Sequence, residues 1–117
     1  MERALEIFYD EYMRYKTATL QKYKKAKIDF ETIKEQIDKH GPTEGLKSAL
    51  FSLSHGLFQI NYMLMEARLH LHNIGCYTGE RKKEIDNYEK VHEMVNNFIG
   101  EIVDYSKELE VSNEFNK

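Results

Sequence analysis

Residues 46–74 read LKSALFSLSHGLFQINYMLMEARLHLHNI, and within them Leu46, Leu50, Leu53, Leu57, Ile60, Leu64, Ala67, Leu71 and Ile74 recur at alternate steps of four and three. That rhythm puts all nine on one side of a long helix, the side a bundle buries. Tyr88, Val91, Val95, Phe98, Ile102, Tyr105 and Leu109 repeat it further along. A looser version opens the chain, with Leu5, Phe8, Tyr12 and Tyr15, then Tyr23, Ala26, Phe30, Ile33 and Ile37. This first seam slips between Thr19 and Lys22, where polar residues occupy core-like positions.

Two short breaks divide the stripes. Gly41-Pro42-Thr43 ends the first helix, since glycine suits a left-handed cap and proline cannot continue the ladder. Thr43 is the expected N-cap of the second helix. Gly75 to Gly79 forms the second break, with Thr78 as the expected cap of the third. The fold expected is an all-α, elongated up-down-up three-helix bundle in one domain over 1–117. Its helices are expected at 3–40, 44–74 and 79–110, followed by a frayed polar tail. Gly56 and Gly100 inside helices suggest close approaches of neighbouring helices. So long a rod has much surface per residue and commonly gains burial from another chain, so pairing as a homodimer is in keeping with it.

A chain of 117 residues with 41% hydrophobic and 32% charged residues suits a modest core with wet outer faces. A net charge of −3 creates no field that selects nucleic acid or an anionic membrane. No apolar run approaches the roughly twenty residues that span a bilayer. The lone Cys76 forms no internal disulfide, and the N-terminus lacks an apolar signal core. A cytoplasmic, membrane-free protein is the expectation.

Chemistry is sparse. His55, Glu66, His70 and His72, with Cys76 beyond them, include one pair four residues apart that could share a metal ion, Glu66 and His70. They sit outside the apolar seam, so no metal centre is expected. Ser52 with His55, and Arg68 with His72, lack the further groups that nucleophilic or acid–base catalysis needs. No glycine-rich phosphate loop is present, so neither catalytic residues nor cofactors are assigned.

Binding surfaces are better represented. Phe51, Phe58 and Met65 flank the middle seam on one side and Met63 on the other, and these four are the candidate partner or self-interface. Lys22, Lys24, Lys25 and Lys27, interleaved with tyrosines, are the alternative: cations for phosphate and rings for bases. Glu93, Glu101 and Asp104, level with them on the third helix, are expected to neutralise that charge. By size and composition the chain is similar to small bacterial or phage regulators built as helical bundles, an analogy that transfers no residue. The function expected is a non-enzymatic interaction module, an adaptor or inhibitor docking a helical face on a partner protein. Nucleic-acid binding stands second.

Overall fold

Gly41 stops the first helix in the manner its position suggests: its φ is 78° and its N–H donates to the Ile37 carbonyl at 2.7 Å. Two residues later the Thr43 hydroxyl accepts from the Leu46 N–H at 3.3 Å, capping the second helix. The computed structural model describes residues 2–74 and 79–115, with side chains over 3–73, 79 and 82–110. Its helices are α1 (Glu2–His40), α2 (Glu44–Ile74), α3 (Glu80–Asp86) and α4 (Tyr88–Phe115). The molecule is a rod of 62 × 20 × 18 Å.

Side-chain pairs fix the directions. Phe8 meets His70 edge-on with ring centroids 6.0 Å apart, and Lys22 reaches Gly56, so α1 and α2 run antiparallel. Tyr23 and Phe30 meet Phe98, and Phe30 also meets Tyr105, so α1 and α4 run parallel. The up-down-up bundle follows, with α3 and α4 forming its third rod.

Three details depart from the spacing. The third rod is broken at Asn87, whose N–H closes α3 on the Lys83 carbonyl (3.1 Å) while its own carbonyl accepts from Lys90 (3.2 Å). Asparagine competes for backbone hydrogen bonds and is a weak helix former, which explains a joint there. At the far end the backbone stays helical to Phe115 instead of fraying at Glu110, because no glycine or proline follows to stop it. Gly79, with φ 69°, occupies the cap of α3; Thr78 and Cys76 lie outside the described residues.

The core divides into two apolar clusters. Ala26, Phe30, Ile37, Leu50, Leu57, Val95, Phe98 and Ile102 form one. Tyr12, Leu64, Ala67, Leu71, Ile85 and Tyr88 form the other. Between them in sequence, on α1 and α2, stand the buried polar residues among those described, Thr19 and Asn61. The slip near Thr19 is therefore a polar layer, and the Thr19 hydroxyl donates to its own helix, to the Tyr15 carbonyl at 2.7 Å. On α2 the seam passes through Asn61, while Ile60 is only half-buried.

Of the two glycines, Gly56 faces the end of the Lys22 side chain and no neighbouring backbone: a Cβ there would stand 2.9 Å from Lys22 Cε. Gly100 faces neither, since a Cβ would meet nothing within 4 Å. Gly100→Ala should therefore stabilise the protein by about 0.5–1 kcal/mol through helix propensity alone, read as a raised urea midpoint.

Candidate functional site

The outer face of α2 is the least expected surface of the molecule. Residues 48–65 contain no Asp, Glu, Lys or Arg, whereas at the chain's 32% charged content an 18-residue run would hold about six. Among the described residues the long exposed faces of α1 and α4 carry charge, and the outer face of α2 stands apart from them. Along this one, Phe51, His55, Phe58, Tyr62, Met65 and Leu69 step by four and three, the same rhythm as the buried seam but pointing away from it. Phe51 and Phe58 are 69% and 57% exposed. His55 stacks on Phe51 at 5.8 Å, extending the aromatic surface.

Beside this stripe lies the wall of α4. Phe51, Ser54 and Lys47 face Val103, Ser106 and Lys107 across a groove of about 230 Å³. Nearer the middle, Phe58, Tyr62 and Met65 face His92 and Asn96 across about 250 Å³, with Asn61 also in its lining. Of the four residues expected at the interface, Phe51, Phe58 and Met65 share this stripe. Met63 is also exposed, but one residue on from Tyr62 it turns about 100° around the helix, to the flank nearer α1. Tyr62, Leu69 and Val103 belong to the exposed apolar surface and escape a reading that looks only for residues beside the seam.

A polar relay underlies the groove. Asn61 Nδ2 donates to Asn96 Oδ1 (3.1 Å) and to the His92 carbonyl (3.4 Å). Asn96 Nδ2 contacts His92 Nε2 at 3.1 Å, and His92 Nδ1 contacts the Tyr88 hydroxyl at 3.1 Å. With Asn61 oriented by a carbonyl that only accepts, Asn96 presents its amide N–H to His92 Nε2. In that arrangement Nε2 accepts and Nδ1 faces the Tyr88 hydroxyl. Among the described residues Asn61 Oδ1 is buried without a partner, as is Arg68 Nε, whose guanidinium lies 5.0 Å from the Tyr88 ring centre. An orphaned buried acceptor costs about 1–3 kcal/mol. Asn61→Leu should therefore raise stability by about 1–2 kcal/mol by joining the two apolar clusters, a gain that chemical denaturation would measure.

The lysines of α1 do not form one face. Lys22 leans to α2 at Gly56, Lys25 pairs with Asp29 on its own helix at 2.9 Å, and Lys24 is simply exposed. Lys27 lies 5.2 Å from the Tyr23 ring centre and 5.3 Å from that of Phe98; its hydrogen bond with Tyr23, first, and the Tyr23 charge hold its ammonium above the usual range. Among the described residues none of these four makes an ion pair with Glu93, Glu101 or Asp104; the salt bridge from α1 to the third rod is Lys16 to Glu84.

The other candidates also separate. Glu66 takes the Tyr62 hydroxyl, raising that phenol above its ordinary value, while His70 turns to Phe8. Among the described residues no three His, Cys, Asp or Glu side chains gather as a metal would require. Arg68 lies over the Tyr88 ring, and His72 is exposed. No helix among the described residues is long and apolar enough to cross a membrane.

Tyr12 adds a pH dependence to the joint between α1 and α3. Its buried hydroxyl donates to the Glu84 carbonyl at 3.3 Å; burial first, and the Glu84 carboxylate second, push its phenol well above the ordinary value. The unfolded chain releases that proton near pH 10 and the folded chain keeps it, so this contribution is whole below pH 10. Above that it falls by about 1.4 kcal/mol per pH unit. Urea titrations at pH 9 and pH 11 should show the fall, and Tyr12→Phe should show a shallower one.

No protein-family model, no curated protein and no solved structure matches this chain.

Proposed function

We propose that this protein is a non-enzymatic protein-binding module, a small regulatory adaptor or inhibitor of the cytoplasm, whose working surface is the uncharged outer face of α2. The observation that carries this reading is the coincidence of exposed large rings with the charge-free run 48–65. Core packing accounts for the Leu seam, and solvation accounts for the charged faces of α1 and α4. Neither accounts for Phe51 and Phe58 standing in water on a stretch of helix, residues 48–65, that carries no charge on any side. Interface cores are depleted in charge and enriched in aromatic residues and Met. The grooves beside the stripe offer the shape that an apolar helical surface of another molecule would fill.

Nucleic acid on Lys22, Lys24, Lys25 and Lys27 has less support, because these side chains leave α1 on different sides and three of them are engaged within the molecule. Catalysis has less support still, because His55 stacks on Phe51 and Arg68 lies over the Tyr88 ring.

A photo-crosslinking residue placed at Phe58 in the tagged protein, within cells of its source, tests the reading. One discrete protein adduct is expected, and none from the same probe at exposed Glu35 on α1. No adduct at 58, or the same smear from both positions, would overturn it.

A further inference from the structure

We infer that the molecule seated on this face is a second copy of the same chain, its α2 lying antiparallel across a two-fold axis beside residue 60; this rests on the protein-binding reading above. The stripe Phe51, His55, Phe58, Tyr62, Met65 and Leu69 is symmetric about that point. Each residue n meets residue 120 − n of the other copy, so Phe51 opposes Leu69, Phe58 opposes Tyr62 and His55 opposes Met65. An isologous contact must be complementary to itself, and its usual obstacle is a charge set against its own copy. Here the central stretch carries none. The first charge C-terminal to it, Glu66, falls on the same flank as His55 and within one residue's rise of His55 in the other copy. Carboxylate therefore meets imidazole instead of carboxylate.

Area supports the same occupant. Phe51, Phe58 and Tyr62 are 69%, 57% and 48% exposed, leaving about 350 Å² of ring surface at roughly 200 Å² per ring. Leu69 and Val103 bring the apolar surface to roughly 450 Å². A homodimer face of about 800 Å² per copy, about 65% apolar, needs near 500 Å². The stripe is about 27 Å long at 1.5 Å per residue, so it fits well within the 62 Å rod.

Light scattering of the purified full chain at roughly 50 µM, coupled to size exclusion, should give twice the 13.9 kDa chain mass. Phe58→Glu should give the single mass with an unchanged helical circular dichroism spectrum. A second measurement holds even if that variant misfolds. In a Cys76→Ser background, Phe51→Cys and Leu69→Cys chains should form a disulfide-linked dimer when mixed. Neither should when oxidised alone, because like positions lie about 27 Å apart along the pair. A single-mass wild type, or self-crosslinking of Phe51→Cys, would overturn the antiparallel pair. If the wild type is monomeric while the probe at 58 still yields one foreign adduct, the second copy fails and the protein-binding reading stands. Loss of every adduct ends both.

Discussion

Leu57→Asp should leave no cooperative thermal transition, while its neighbour Phe58→Asp should melt as a folded helical protein. Leu57 is 0% exposed and lies in the cluster with Leu50, Val95 and Phe98; Phe58 is mostly in water. The first substitution removes a packed side chain, a loss of about 2–5 kcal/mol for truncation alone. It also buries a carboxylate in an apolar cluster, which costs several kcal/mol more even after relaxation. A domain of this size is stable by about 5–15 kcal/mol, so the two losses together consume most or all of it. The second substitution changes a surface site, where effects usually stay within about 0.5 kcal/mol. If the second copy seats on α2, Phe58→Asp should also remove the dependence of the melting temperature on protein concentration that a dimer confers. Circular dichroism melts at two concentrations decide all of this. A folded Leu57→Asp would mean that the helix is rotated from the face assigned to it.

The difference between those adjacent residues was legible in the sequence because helical periodicity separates them by 100°. The same periodicity gave the three rods, and the Gly41-Pro42-Thr43 break gave the antiparallel turn. It was less reliable where the seam is polar. A strict heptad points to Ile60, yet a straight helix drifts against a seven-residue repeat, and Asn61 is the residue turned inward. Position alone also cannot show that Asn61 finds partners in Asn96 and His92, because those contacts span more than thirty residues of sequence. The joint at Asn87 left only a weak mark, a poor helix former in an otherwise continuous stripe. At the site the legible signal was an absence: no charge from Ser48 to Met65. Looking for apolar residues beside the seam picks out Phe51, Phe58 and Met65 on one flank and Met63 on the other; Tyr62 and Leu69, exposed on the same stripe as the first three, lie too far from the seam for that search. The lysines show the converse limit. Proximity in sequence put four of them together, and helical rotation spread them apart.

Phe98→Ala should cost about 3–5 kcal/mol and loosen α4 from α1 before it unfolds the pair α1–α2. Phe98 is where the third rod meets the first. The Tyr23 ring stands edge-on to it at 5.5 Å, Phe30 does the same at 5.7 Å, and the Lys27 ammonium sits over it. Such pairs contribute about 0.5–1.5 kcal/mol each beyond burial, and truncation removes both while opening a cavity that three helices line. The α1–α2 joint is held by different residues, among them Ala26 and Leu57, so it should survive the loss. Hydrogen exchange followed by mass spectrometry should then show protection falling first in residues 95–109, with residues 50–64 retaining theirs. Phe98→Leu separates the two causes. It keeps most of the volume, and volume-conserving swaps usually cost under about 1.5 kcal/mol. A leucine variant close to wild type would assign the loss to the cavity. One nearly as unstable as the alanine variant would assign it to the ring edges of Tyr23 and Phe30. Uniform loss of protection along all three rods would instead mean that the bundle unfolds as one cooperative unit and that α4 has no separate hold on α1.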